Sequence, residues 1–202
     1  YVYLHSRTGQ GFAVGGEYAL VRPAKELMRI KKYPGQGASV RSLGYLYEDV
    51  ARVKVVTVTP AGAVAEVGFA CGPVRSEDLV IPFQARAIPA YTPTPRIDRF
   101  APANGKLVGA ITSAGDNATF VGQGRIAYIN LGQEDGVRAG QRFRVFRIFR
   151  EDVSRGFVAL PETPRETIGE LVILSTQERS SVTMVVNSVR EISLGDGIEL
   201  LD

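Results

Sequence analysis

The 202-residue chain has no tryptophan, one cysteine (Cys71) and one histidine (His5). A single cysteine excludes an internal disulfide and a multi-cysteine metal site. One histidine leaves no histidine cluster or catalytic triad to assemble. The longest uncharged stretch near the middle, residues 55–65, contains 11 residues and is interrupted by Pro60 and Gly62. Because a spanning helix needs about 20 apolar residues, we expect no membrane span, and we also expect no cofactor, no metal and no catalysis.

The charge balance is close to neutral for this length. The net charge is +3 and the pI is about 9.1, which is too little positive charge to indicate a nucleic-acid partner. Hydrophobic residues make up 45% of the chain, which is typical of a globular protein and excludes a wholly disordered one.

Matched glycines and apolar residues indicate an internal duplication. With a shift of 125 residues, residues 11–22 fall on 136–147 and residues 2–4 fall on 127–129. Glycines recur at turn positions, where they allow a positive φ. The glycines that meet are Gly11 with Gly136 and Gly15 with Gly140.

The shift changes further along the chain. Residues 43–46 still meet 168–171 at a shift of 125, whereas Asp78 meets Asp196 at a shift of 118. The second copy is therefore seven residues shorter, and the simplest place for the shortening is the hairpin within residues 54–63. The equivalence of the two aspartates indicates a structural role, such as accepting the N–H bonds of a turn before a strand.

We predict an all-β fold with two tandem, small, antiparallel β-barrel-like domains at 1–83 and 105–202, joined by a proline-rich linker at 84–104. In the second copy the apolar residues change from odd-numbered to even-numbered positions along one strand, which predicts a β-bulge near residues 145–147. In the first copy an insertion at residues 23–33 suggests one or two helical turns at a partner surface.

One or two strands in residues 107–122 precede the second copy. Their equivalent in the first copy would lie upstream of Tyr1 or be absent, so we expect the sequence to be a piece of a longer protein. The four prolines of the linker favour a stiff, extended connector. Alternatively the linker is a strap that packs on a neighbouring domain through Ile88, Tyr91, Ile97 and Phe100.

Arginines and phenylalanines alternate between residues 142 and 150. Such interleaving can bind nucleic acid or glycan, but a solvated strand face over a core face explains it as well. The candidate interaction surface consists of Tyr45, Tyr47, Tyr91, Phe100, Arg142 and Arg144.

Residues 126–132 and 135–147 resemble the C-terminal domain of the flagellar assembly protein T family. Residues 168–171 and 190–198 resemble the matching part of LysM-bearing envelope proteins, including the secretin-associated protein of type IV pili. The resemblance implies a secreted, periplasmic or outer-membrane-associated protein without catalytic residues. It also implies an upstream LysM module bound to peptidoglycan, and β domains placed against a secretin or flagellar basal-body ring.

The leading hypothesis is therefore a non-enzymatic envelope scaffold with a protein partner. Two alternatives remain open: a carbohydrate-binding module for peptidoglycan, with Tyr45, Tyr47 and Tyr91 as stacking platforms, and a self-assembling subunit of an extracellular fibre.

Overall fold

The computed structural model describes residues 1–6, 11–24, 33–34, 36–92, 96–115, 118–148, 152–153, 156–157 and 165–202. The chain divides into two compact units, unit 1 (residues 1–25 and 45–86) and unit 2 (residues 26–44 and 87–202). Both are built almost entirely of antiparallel strands, which confirms the predicted all-β, barrel-like fold. The predicted linker is divided between the units, because residues 84–86 belong to unit 1 and residues 87–104 to unit 2.

Unit 1 is a five-stranded sheet curled into half a barrel. Its strands are β1 (Val2–His5), β2 (Glu17–Pro23), β3 (Tyr47–Thr59), β4 (Gly62–Ala70) and β5 (Leu79–Pro82), in the spatial order β1-β4-β3-β2-β5. In β3 the buried Val53 and Val55 alternate with the exposed Arg52 and Lys54, as expected for a sheet with one face in a core. The inner face of the sheet packs these valines against Leu20.

Unit 2 closes six strands into a barrel. These strands are β6 (Val108–Ala114), β8 (Ile126–Ile129), β9 (Arg142–Ile148), β12 (Arg165–Thr176), β13 (Ser181–Ser188) and β15 (Gly197–Leu200). Two short pairs accompany them: β7 (Phe120–Val121) with β14 (Ile192–Ser193), and β10 (Asp152–Val153) with β11 (Gly156–Phe157). The barrel order is β12-β13-β8-β6-β15-β9, and β9 closes on β12. A core that includes Ile111, Phe143, Leu171 and Ile198 fills the interior.

The two units share one strand register. Strands β1-β4-β3-β2-β5 of unit 1 correspond to β8-β13-β12-β9-β15 of unit 2. Tyr18 faces Val53 in unit 1 as Phe143 faces Leu171 in unit 2. The three register shifts of β3 with its neighbours recur in β12 at equivalent residues. A shared pattern of irregularities is stronger evidence of duplication than shared apolar residues, because a bulge displaces every later pair by one residue.

The structure corrects the predicted position of the length difference. From β3 onwards the shift is 118, so Val53 is equivalent to Leu171, and the match of residues 43–46 with 168–171 is wrong. The difference of seven residues lies between β2 and β3, where residues 24–46 correspond to 149–164. The hairpin within residues 54–63 is not shortened, since its paired residues keep the shift of 118 throughout.

The predicted bulge lies at the expected place, but the extra residue is on the partner strand. Val145 faces Gly169 and Phe146 faces Thr167, so Ile168 is the residue without a counterpart on β9. Val145 belongs to the barrel core, whereas Phe146 is buried on the opposite face of β9, against Gly197 and the guanidinium of Arg165. The change of parity in the sequence is therefore not a bulge in β9, which keeps a regular register with β15.

Most of the predicted insertion at residues 23–33 lies outside the described residues, because only Pro23, Ala24 and Tyr33 are described. A helix, α1 (Gln36–Ser42), follows it and belongs to unit 2. There the side-chain amide of Gln36 donates to the carbonyl of Thr112 at 2.9 Å, and Tyr33 packs against the barrel core.

An arginine–aspartate clamp holds the last strand of each repeat. In unit 1 the guanidinium of Arg22 donates from Nε and Nη2 to the two carboxylate oxygens of Asp78, at 2.7 and 2.9 Å. In unit 2 Arg147 makes the equivalent pair with Asp196 at 2.8 and 2.7 Å. Each aspartate also accepts a backbone N–H three residues before it, from Arg75 at 2.7 Å and from Ser193 at 2.6 Å.

The predicted turn glycines differ in whether they adopt a positive φ. Gly15 and Gly140, which are equivalent, have φ of 80° and 89°, and Gly136 has φ of 79°. A positive φ at these turns is the conformation that glycine adopts without strain. Gly11 lies in the same turn region of unit 1 but is not among the described glycines with positive φ.

We expect Ile198→Ala to lower the free energy of unfolding of unit 2 by about 2–5 kcal/mol, because it removes a fully buried side chain from a closed core. Its equivalent in unit 1, Val80, is smaller and only partly buried, so Val80→Ala serves as a matched control with a smaller cost. Hydrogen exchange of the core amides, read separately for each unit, measures both effects. Equal losses would contradict the difference in core closure.

Candidate binding surface

The predicted aromatic surface residues are distributed over both units. Tyr45 and Tyr47 belong to unit 1, whereas Tyr91 and Phe100 belong to unit 2. All four are exposed, Tyr45 most strongly at 79%. Tyr47 begins β3, and Tyr45 lies two residues before it.

The two predicted arginines are engaged inside unit 2. Arg142 forms an ion pair with Asp202 at 2.6 Å and donates to the carbonyl of Thr92 at 2.7 Å. Arg144 is 6% exposed, and its guanidinium donates to Glu199 at 2.6 Å and to the carbonyl of Pro102. Arg144 is thus enclosed, and we leave it out of the candidate surface.

The contact between Arg144 and Pro102 belongs to a longer segment, residues 96–104, which we call the strap. The strap lies on the outer face of the barrel and contacts β9, β12 and β15. The backbone carbonyl of Arg99 accepts the N–H of Thr167 at 2.7 Å, and the guanidinium of Arg99 pairs with Glu166. At the other end of the strap, Asn104 donates its N–H to Glu199 at 3.0 Å and its side-chain amide to the carbonyl of Leu200 at 2.8 Å. The strap is held by polar groups, while the side chain of Phe100 stays 69% exposed.

Glu199 is the centre of this network and is fully buried. Its carboxylate accepts hydrogen bonds from Arg144, Arg165 and the N–H of Asn104. Burial alone would raise the pKa of Glu199, but these three donors outweigh it and hold the pKa below its ordinary value. The carboxylate is therefore ionised at neutral pH, and it neutralises the buried guanidinium of Arg144 and the partly buried guanidinium of Arg165.

The described residues of unit 1 place no strap over the corresponding face of its sheet. Ile81 stands where unit 2 has Glu199 and is 43% exposed, and Ala19 stands in place of Arg144. We call this surface the outer face of unit 1 and define it by Glu17, Arg52, Lys54, Glu66 and Phe69, which line a shallow groove.

The outer face of unit 1 combines opposite charges with an exposed ring. Glu17, Lys54 and Glu66 face one another across β2, β3 and β4, and Arg52 pairs with Glu17. In the next row Arg52 lies opposite Phe69, which is 64% exposed. The guanidinium of Arg52 also stacks over the ring of Phe83 at 4.0 Å, a favourable cation–π contact. Such a surface can form charge-assisted hydrogen bonds beside an apolar anchor.

Sequence reasoning missed this face because its residues are distant in sequence and no motif connects them. The available signal was the strand alternation of residues 52–56, which places Arg52 and Lys54 on one side of β3. The position of Phe69 opposite Arg52 depends on the bulges of β3 and was not predictable without the pairing.

The chain matches none of the known protein-family models that were searched. It also shows no significant similarity to the characterised proteins with which it was compared. Within the described parts of the chain, no three His, Cys, Asp or Glu side chains lie close enough together to hold a metal ion. The described helix content includes no segment of the length and apolarity needed to span a membrane.

We expect Glu199→Gln to destabilise unit 2 by about 3–5 kcal/mol at neutral pH, because it leaves the buried Arg144 and the partly buried Arg165 without their counter-charge. The lowered pKa of Glu199 stabilises the folded state above its ordinary pKa, and this contribution disappears as pH falls through the folded-state pKa. The variant should therefore lose less stability than the wild type between neutral pH and pH ~3 in urea unfolding.

Glu17→Gln provides the control, because Glu17 and Arg52 form an ion pair in which both side chains are largely exposed. Exposed pairs contribute about 0–1 kcal/mol. An acid dependence of the Glu199→Gln variant equal to that of the wild type would show that Glu199 does not supply this stabilisation.

Proposed function

We propose that the chain is a non-enzymatic scaffold of the bacterial cell envelope that binds a protein partner through the outer face of unit 1. The observation that carries this proposal is the contrast between the two repeats. In unit 2 the residues equivalent to Arg52 and Lys54, which are Glu170 and Val172, are buried, whereas the outer face of unit 1 presents Arg52, Lys54 and Phe69 to solvent.

The chemistry of this face favours a protein partner. Aromatic and arginine side chains are the residues most often responsible for binding energy at protein interfaces. The alternating charges of Glu17, Lys54 and Glu66 favour a partner with a complementary pattern and disfavour a polyanion. A stiff β sheet loses little conformational entropy when it docks.

The resemblance to envelope proteins supports the choice of partner. It suggests a secretin or basal-body ring as the assembly, with peptidoglycan tethering through a LysM module upstream, and a periplasmic or outer-membrane-associated location. A ring also presents many copies of one surface, so weak individual contacts gain from avidity.

A binding experiment with membrane and periplasmic fractions tests the proposal. Immobilised wild-type chain should retain a ring-forming envelope protein, and the double variant Arg52→Glu/Phe69→Ala should retain it at least about 30-fold more weakly, the cost of losing an interface hot spot. Phe120→Ala, which removes an exposed ring of unit 2, should retain it as the wild type does. Equal retention by all three proteins, or retention of no ring component, would reject the proposal.

A second candidate function, binding of peptidoglycan glycan strands, is favoured by one observation. Tyr45 and Tyr47 are both exposed at the start of β3, where their rings could stack on sugar faces as aromatic platforms do. If this is the function, the wild-type chain should sediment with purified peptidoglycan and Tyr45→Ala/Tyr47→Ala should not. Failure of the wild-type chain to sediment would exclude it, whatever the outcome with envelope proteins.

A further inference from the structure

The barrel of unit 2 has one strand more than the described sheet of unit 1. In unit 2, β6 lies between β8 and β15 and pairs antiparallel with both. The equivalents of β8 and β15 in unit 1 are β1 and β5, and these are the two edges of its sheet. Among the described residues of unit 1, no strand occupies the place of β6. We call the space between β1 and β5 the strand gap.

Strand β6 supplies both hydrogen bonds and core packing to unit 2. The carbonyl of Ala110 accepts the N–H of Asn130 at 3.2 Å, and the carbonyl of Leu107 accepts the N–H of Leu200 at 2.9 Å. Ile111 is fully buried in the barrel core. Closing the barrel in this way removes both open edges.

Apolar side chains at the two edges of the strand gap are partly exposed. Val2 is partly exposed, whereas its equivalent Ala127 is fully buried. Leu79 and Ile81 of β5 are 45% and 43% exposed. Exposed apolar edge strands favour addition of a further strand. The pairing that β6 makes in unit 2 defines the direction and register of that strand.

We propose that the strand gap binds one extended polypeptide segment that runs antiparallel to β1 and β5 and carries the small and branched apolar pattern of β6. Its source is the polypeptide on the N-terminal side of Tyr1, because β6 is the barrel strand that precedes β8 in the chain. The 11 residues between them (115–125) contain only the short strand β7. The same order in the first repeat places the sixth strand immediately before β1.

Pro82 limits the pairing at one end of the gap. It is equivalent to Leu200, whose N–H donates to β6 in unit 2, and proline has no N–H to donate. The last amide of β5 that can donate to the incoming strand is therefore that of Val80. Two backbone amides face the incoming strand, that of His5 on β1 and that of Val80 on β5. They are equivalent to the amides of Asn130 and Ile198 in unit 2.

A synthetic peptide of residues 106–115, which contains β6, tests whether the strand gap accepts such a strand. Added to the 202-residue protein, it should bind saturably and slow the hydrogen exchange of the His5 and Val80 amides about tenfold or more. The same peptide with Ile111→Asp should not bind, because Ile111 enters the core. Val80→Pro removes the N–H on the gap side of β5 without removing a bond to β2, and it should weaken binding at least about fivefold.

Absence of binding, or equal binding of the Ile111→Asp peptide, would overturn the proposal. The source is tested with the protein extended on its N-terminal side to the start of its gene. This protein should show protected His5 and Val80 amides and should no longer bind the peptide. Peptide binding of unchanged affinity would overturn the N-terminal source and favour a strand from a partner.

This inference does not depend on the proposed function of the outer face. The Arg52→Glu/Phe69→Ala variant should bind the peptide with the affinity of the wild type, because neither side chain lies on β1 or β5. Failure of the two proposals is therefore distinguishable.

Discussion

The clamp between an arginine of the second repeat strand and an aspartate before the last strand is the interaction on which both units depend. Arg22 and Asp78 are 56 residues apart, and Arg147 and Asp196 are 49 apart, so each clamp closes a long segment of chain. The arginine also donates to a carbonyl five residues before the aspartate, that of Pro73 or Glu191. One guanidinium thus fixes the turn, the aspartate and the start of the closing strand together. The bidentate geometry explains why both copies keep arginine, since lysine cannot provide two parallel donors.

The sequence was sufficient to predict the strands and the duplication, because these depend on local alternation and on turn glycines. The position of the seven-residue difference was not predictable in the same way. Residues 43–46 and 168–171 are similar in apolar pattern, but the paired residues Val53 and Leu171 determine the true register. Only the pairing of β3 and β12 with their neighbours distinguishes the two alignments.

The position of the strap and the burial of the arginine side chains were not predictable from the sequence, because both depend on long-range contacts. A proline-rich segment with exposed Ile88 and Phe100 is typical of a connector, and nothing local indicates that Asn104 meets Glu199. The alternation of arginine and phenylalanine in β9 is likewise typical of a strand with one solvated face. That face is covered in unit 2, so Arg144 is buried with Glu199, a pair 55 residues apart in sequence.

Comparison of the two repeats distinguishes the features that both need in order to fold from the features in which they have diverged. Clamp, bulges and register recur, whereas side chains change in compensating pairs. Phe146 fills the space above Gly197 in unit 2, where a Cβ would lie 2.4 Å from the ring, and the equivalent pair in unit 1 is Val21 with Leu79. The two pairs differ in how they divide their volume between the strands, as packing at fixed backbone spacing requires.

The buried network around Glu199 is one of the features that differ between the repeats and are not needed for folding. Unit 1 forms the same register with Ala19 and Ile81 in place of Arg144 and Glu199, so the repeat does not need buried charges in order to fold. Burying ions costs more than burying apolar groups unless every donor and acceptor is satisfied. In unit 2 the remaining acceptor capacity of Glu199 is taken by the N–H of Asn104, and the carbonyl of Pro102 is bound by Arg144. Both groups belong to the strap. The network therefore serves to fasten the strap in one position. In unit 1, where apolar side chains replace the network, the described residues place no strap on this face of the repeat.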